Sequence, residues 1–321
     1  MDTMPQTLTE AIRYYADDDV CQRFLMNMRW PDGVVVCPNC GQSNPPYDAN
    51  RRVWRCKANH SKRQFSIKIG TIFEDSPITL DKWFIAMWML ANDKNGVSSY
   101  ELSRAIGITQ KSAWFMLHRI RLALQGGFDD KFSGQVEVDE TFIGGKARFM
   151  HADKRAEKIT GTGGTGKAAV MGLLERHGPD GHSRGKAKPV KNTRRATLVP
   201  EVQQNVEAGA EVFTDALRSY DSLDAEYIHQ VIDHAEAYAN VTVHTNGIES
   251  VWAVLKRGLH GVYHHASPKH LNRYVQEFTF RLNEGNVKHS TMERLNAFAA
   301  RTIGKRITYK ELTRDKTQDP T

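Results

Sequence analysis

Four cysteines in 321 residues are too few for a disulfide-built scaffold. No apolar run approaches the ~20 residues that span a bilayer. The most apolar stretch, Trp83 to Leu90, is short and amphipathic. The N-terminus, MDTMPQTLTEAIRYYADDD, is acidic and lacks an apolar signal core, so a cytoplasmic protein with no membrane partner is expected. There is no internal repeat. Acidic residues are in deficit, 37 against 44 lysines and arginines, for a net charge of +7 and a pI of about 9.1. A basic balance points to an anionic partner, of which nucleic acid is the commonest. What is present is globular: 40% hydrophobic and 25% charged residues. The length exceeds one ordinary core and implies about two or three domains.

The hydrophobic pattern changes character along the chain. Thr7 to Trp30 repeats apolar residues at helical spacing, with Cys21 on the apolar face as a small buried hydrophobe. Thr79 to Asn92 carries an aromatic stripe of core type. Ser98 to Leu124 reads as two helices joined at Gly107. From Gly134 on, strands are expected at Gln135–Ile143, Ala168–Leu174, Ala196–Val199, Glu211–Thr214 and Tyr227–Ile232. A helix is expected over Pro200–Ala208, and long helices over Asn246–Leu259 and Pro268–Asn283. Strands followed by dominant helices predict an α/β sheet covered by helices. Two basic stretches, Lys146–Lys167 and His182–Arg195, read as loops able to lie on a phosphate backbone.

Cys37-Pro-Asn-Cys40 is followed after 15 residues by Cys56 and then by His60. Two close pairs joined by a β-turn supply the four tetrahedral N or S ligands that Zn²⁺ prefers. A structural zinc ribbon is therefore expected, with Lys57, Lys62 and Arg63 as a basic flank. The segment SSYELSRAIGITQKSAWFMLHRIRLAL has the pattern of a helix-turn-helix. Ser98 or Ser99 can cap its first helix and Thr109 its second. A plain helical hairpin shares the pattern. Beside a ribbon in a basic protein, DNA contact by Gln110, Lys111, Ser112 and Arg119 is the expected role.

The third constellation is acidic. Asp139 sits inside QVEVDETFI between Glu137 and Glu140, where a carboxylate costs desolvation unless it is paired or metal-bound. Asp215 ends the strand EVFT, a place where an Asp also serves as a helix cap. On the late helix, Glu249 and Lys256 are seven residues apart and share a face, with Asn246 one turn before. Two aspartates and a helix glutamate suffice to hold a pair of hard cations against a phosphodiester, with Lys256 and Arg257 on the phosphate.

CPNC, RQFSIKIGTIFEDSPITLDKW, EVDETFIGGK, FTDALRSYDSL and the block from His244 to Asn283 together resemble the ISXO-like insertion-sequence transposases. The resemblance implies an RNase H-like mixed sheet with flanking helices, preceded by a small zinc ribbon and a helix-turn-helix. It implies Asp139 and Asp215 as the first two catalytic carboxylates and Asn246, Glu249 and Lys256 as the late-helix residues. Glu249 is favoured as the third ligand, because a carboxamide neutralises no metal charge; Asn246 is the alternative. The implied cofactors are catalytic Mg²⁺ (or Mn²⁺) and structural Zn²⁺. The implied partners are terminal inverted repeats and target DNA, bound by a homo-oligomer in the bacterial nucleoid. Expected boundaries are 1–70 for the N-terminal helix and ribbon, 71–128 for the helix-turn-helix region, 129–310 for the catalytic domain and 311–321 for a flexible tail. Gly161 to Lys167 matches GxxxxGK, but Ala168 replaces the Ser/Thr and a strand follows, so no nucleotide site is expected.

Overall fold

The computed structural model describes residues 4–126, 130–145, 151–153, 166–178, 181–232, 244–264, 266–285 and 289–314. Most of Lys146–Lys167, including all but the last two residues of the GxxxxGK match, lies outside them, as does the expected tail from 315 on.

The chain forms two compact units, Met1–Gln125 with Val287–Thr321, and Gly126–Asn286. The first begins with α1 (Leu8–Tyr15) and α2 (Asp18–Arg29). The Thr7/Glu10 capping box starts α1, and Asp17 caps α2. A three-stranded antiparallel ribbon follows, β1 (Tyr47–Asp48), β2 (Val53–Arg55) and β3 (Gln64–Phe65), in that spatial order. Then come α3 (Leu80–Asn92), α4 (Ser99–Ile106) and α5 (Gln110–Leu124). The aromatic stripe of α3 is core: Trp83, Phe84, Met87 and Trp88 are all buried. Cys21 is buried too, its thiol donating to Tyr15 O at 3.2 Å.

The second unit is a five-stranded mixed sheet of β4 (Gln135–Ile143), β5 (Ala168–Glu175), β6 (Arg184–Val190), β7 (Glu211–Asp215) and β8 (Ile228–Ile232). Its order is β6-β5-β4-β7-β8. β4, β5 and β6 pair antiparallel, and β7 and β8 continue parallel to β4. This is the RNase H-like mixed sheet that the resemblance implied. Helix α6 (Arg195–Asn205) covers one face, with Leu198 and Val202 on Val136, Val138 and Leu173. Helices α7 (Asn246–Gly261) and α8 (Pro268–Asn283) cover the other, with Ile248, Trp252, Leu255 and Val275 on Val170 and Leu174. β5 is buried on both faces and therefore reads as a continuous apolar run.

The third strand is not where the hydrophobic pattern suggested. It is Arg184–Val190, inside the stretch expected to be a basic loop, whereas Ala196–Val199 opens α6. β6 is an edge strand, so one flank needs no partner and Pro189 and alternating lysines are tolerated. Its lysine stems reach polar partners: Lys186 Nζ donates to Asp130 O at 2.7 Å and Lys188 pairs with Glu201 at 2.5 Å.

The expected end of the catalytic domain at 310 also moves, since the second unit closes at Asn286. Helix α9 (Thr291–Ala300) packs on α2 and α3. Beyond it the backbone bonds to the first unit, Ile72 N to Thr302 O at 3.0 Å and Gly304 N to Gly70 O at 2.8 Å. Lys305 Nζ caps the end of α5 through Ala123 O and Gln125 O, and the short helix α10 (Tyr309–Thr313) lays Tyr309 against Phe115.

Candidate active site and the Cys3His ribbon

In the ribbon, Gly41 takes φ +76, which permits the tight turn that places Cys37 beside Cys40. The turn is closed by Cys37 N to Gln42 O and Gly41 N to Cys37 O, both 2.9 Å. Cys56 follows β2 and bonds back to Arg63 O at 2.7 Å, which carries His60 toward the first pair. Cys37 Sγ lies 3.6 Å from His60 Nε2, and Cys40 Sγ lies 3.5 Å from Cys56 Sγ. All four ligand atoms fall within 4.8 Å of one another. Burial opposes ionisation of Cys37, yet the backbone N–H groups of Asn39 and Cys40, together with hydrogen bonds from the Cys40 and Cys56 side chains, outweigh it and lower the thiol pKa. The fit to a tetrahedral thiolate-imidazole site is direct. Stacked Trp54 and Phe65, with Trp30 edge-on, give the ribbon its small core.

In the sheet unit, Asp139 is on the central strand β4, and Asp215 ends its parallel neighbour β7. Glu249 lies in the first turn of α7. Burial raises the Asp139 pKa, and the charges of Asp215 and Glu249 raise it further; the Glu140 N–H and the Trp252 indole oppose the rise. The three carboxylates are therefore within electrostatic reach. Among the described residues, the ribbon quartet alone is drawn tightly enough to read as a closed ion-holding cluster. Asp139, Asp215 and Glu249 are not drawn into such a cluster, though the charges of Asp215 and Glu249 both act on Asp139, and carboxylate oxygens are the donors a hard cation prefers.

Helix α7 is held against β4 from below. Glu137, 1% exposed, accepts from Ile248 N at 2.7 Å and from Arg176 Nε at 2.6 Å. Arg176 also donates to His244 O. The buried carboxylate thus satisfies an otherwise orphaned N–H of the helix and complements its dipole. Gly247 makes room: a Cβ there would sit 2.9 Å from both Glu137 carboxylate oxygens. Asn246, Lys256 and Arg257 are exposed on α7, with Thr245 Oγ1 3.5 Å from Glu249 Oε1. Asp215 does not cap a regular helix. Its Oδ1 accepts from Leu217 N at 3.2 Å, and 3₁₀ turns follow at Arg218–Tyr220 and Leu223–Ala225.

Residues 131–283 match the ISXO2-like transposase domain, and residues 16–61 match the transposase zinc-ribbon domain. A protein of transposable element ISH50 from Halobacterium salinarum is 28% identical over 280 residues, covering 84% of this chain and 92% of that one. A transposase-like protein of Haemophilus influenzae is 34% identical over 100 residues, covering 31% of this chain and 80% of its own. The chain belongs to the ISXO2-like transposases.

In this transposase the helix-turn-helix pattern folds as two packed helices. Ser98 and Glu101 form a capping box, Gly107 ends α4 at φ +63, and Thr109 caps α5. Gln110 ties the pair together through Ser99 Oγ at 2.8 Å. Lys111 is exposed with its ammonium 4.8 Å from the Tyr309 ring, and Ser112 accepts from Thr109 Oγ1 at 2.9 Å. Arg119 must be withdrawn as a DNA contact. It is 4% exposed, donates to Glu74 O and lies over Trp83 and Phe115. Burial lowers its pKa to about 10. Position 119 falls on the face of α5 shared with Met116, Ile120 and Ala123, all core.

Several residues of the transposase site were missed from sequence. Glu137 was noted only as a neighbour of Asp139 in the strand, without the role of anchoring α7. Trp252 was given no part in the site, yet its indole donates to Asp139 Oδ2 at 2.9 Å. Tyr220 donates to Glu140, whose pKa burial raises to about 7, with Asp215 and Asp139 adding to the rise. Buried His229 bridges Asp224 and Thr214, the residue before Asp215. The signal that could have found Trp252 is Gly172, a glycine in an otherwise bulky buried strand, which marks a close approach.

No helix among the described residues is long and apolar enough to cross a membrane.

Proposed function

We propose that this transposase binds the terminal inverted repeats of its element and catalyses Mg²⁺-dependent strand cleavage followed by strand transfer. The observation that carries the proposal is the electrostatic coupling of Asp139, Asp215 and Glu249, contributed by two adjacent strands and one helix. Like charges held together in a half-buried site gain most from a shared cation. Bound there, a pair of hard cations supplies nucleophile activation and charge neutralisation on the leaving oxygen. Asp139 and Asp215 hold it from the sheet and Glu249 from α7. Asn246 orients water beside Glu249. Lys256 and Arg257, on the next turns, fix the phosphate. Water attacks at each element end, and the freed 3′-OH then attacks target DNA in the same site. The ribbon, closed by Zn²⁺ on Cys37, Cys40, Cys56 and His60, and the helix pair led by Gln110, Lys111 and Ser112 recognise the ends. Two ends must meet, so the working form is a homo-oligomer on DNA.

The test is a strand-transfer assay with Mg²⁺ or Mn²⁺ and DNA from the element's own ends, comparing wild type, Glu249→Gln and Asn246→Ala. The expected result is joined products for wild type, none for Glu249→Gln with end binding intact, and a reduced yield for Asn246→Ala. Digestion without joining would make the protein a nuclease of this fold. End binding without any cutting would make it a regulator. An inactive Asn246→Ala beside an active Glu249→Gln would transfer the third ligand to Asn246.

A further inference from the structure

Packing on the Asp139 face of β4 is unusually specific. In the antiparallel ladder, Gly172 on β5 stands directly opposite Asp139. A Cβ on Gly172 would lie 2.4 Å from Trp252 Cη2 and 2.6 Å from Cζ2. The indole therefore occupies the place where any other residue would put its side chain. Seated there and only 4% exposed, it directs Nε1 at Asp139 Oδ2, 2.9 Å away. Trp252 is three residues after Glu249, on a neighbouring part of the same helix face.

An indole N–H is a donor and never an acceptor. It favours the ionised carboxylate and strengthens when it meets a charge. It takes up Oδ2 of Asp139 and, together with the Glu140 N–H, restricts how the carboxylate can turn. The same contact sets the spacing between the strand that carries Asp139 and the helix that carries Glu249. Apolar packing over Gly172 calls for the size of the bicyclic ring and gives by itself no reason for the N–H.

We infer that Trp252 is a positioning residue of the carboxylate site: its indole N–H, held on Oδ2, locks the Asp139 side chain in the orientation in which it meets a divalent cation, and Gly172 exists to admit the ring. The inference rests on the proposed role of Asp139 as a metal-holding carboxylate. Partners that orient a metal ligand change metal affinity by about 10–100-fold when removed, while leaving the fold intact.

The experiment is calorimetric titration of the full-length, zinc-loaded chain with Mn²⁺, with thermal melting and end cleavage measured on the same samples. Two variants remove the N–H and keep an aromatic ring: Trp252→Phe, and replacement of Trp252 by benzothienylalanine, which retains the full bicyclic shape. The expected result for the benzothienyl variant is a melting temperature matching wild type and a Kd for Mn²⁺ weakened about tenfold or more. Its cleavage falls at low Mn²⁺ and recovers at high Mn²⁺. Trp252→Phe follows it in Kd; should Trp252→Phe melt early, the benzothienyl variant alone decides. An unchanged Kd in a folded variant overturns the positioning role while leaving the proposed function standing. A wild-type chain that neither takes up Mn²⁺ beyond its zinc nor cuts DNA overturns both.

Discussion

The ribbon and the carboxylate site both gather ligand-type side chains, and they do so in opposite ways. The ribbon draws three thiols and an imidazole from one short stretch into a cluster closed by its own turns. The sheet unit brings Asp139, Asp215 and Glu249 from β4, β7 and α7 into electrostatic reach and leaves them apart. A structural zinc site needs four protein ligands and no open position, whereas a site that acts on a phosphodiester must leave room for water and substrate. The price of openness is charge repulsion, and it falls on the scaffold. Glu137 with Arg176 fixes the start of α7, and Trp252 with Gly172 fixes its next turn.

If the scaffold carries that load, breaking it damages one site and spares the other. Glu137→Ala strips Arg176 of its buried partner and leaves Ile248 N without an acceptor. The expected cost is about 3–5 kcal/mol, read as a drop in thermal stability with loss of cleavage. Zinc content measured on the same protein stays at the wild-type level. The milder Gly247→Ala presses a methyl against the Glu137 oxygens and is expected to cost about 1–3 kcal/mol in the same melt. Zinc lost together with α7 would dissolve the contrast between the two sites.

A smaller effect sharpens the comparison from the ribbon side. Burial pushes the Cys21 thiol up to about 12, so at pH 8 it remains protonated, unreactive and hidden. Cys40 is exposed, and Cys37 and Cys56, though buried, lie in a small ribbon whose folding would depend on its metal. Alkylation of the native chain at pH 8 is expected to modify none of the four until a chelator is added, and then three. Mass spectrometry reads the count. Labelling of Cys21 alongside the others would mean that chelation opens the α1–α2 core as well.

The contrast also explains what the sequence made legible. The ribbon ligands lie close along the chain, so spacing alone finds them. Asp139 and Asp215 were singled out because a carboxylate in or ending an apolar strand is costly, and Glu249 because of its helical phase with Lys256; in the fold the charges of Asp215 and Glu249 both reach Asp139. The support residues are contacts across elements, and a single sequence does not state which strand lies under which helix. Glu137, Trp252 and Gly172 acquire roles only when the β4–β5 register sets Gly172 opposite Asp139. β6 was missed because an edge strand can be polar and carry a proline, and periodicity sees only buried faces. Arg119 was misassigned because recognition-helix arginines were counted without their phase, which turns position 119 toward the core. The C-terminal helices α9 and α10 carry no local mark of the unit they join; their packing, and the hydrogen bonds of the intervening residues 302–305 to residues 70–72 and to the end of α5, reveal it.

The most direct test of the account is cleavage of end DNA by the zinc-loaded protein as Mg²⁺ is titrated in, for wild type and Asp139→Asn. The account requires that wild type, with its zinc in place, binds the ends without cutting until Mg²⁺ is added, and that Asp139→Asn binds equally and never cuts. Cutting supported by zinc alone, or retained in Asp139→Asn, would contradict the separation of a closed structural site from an open catalytic one.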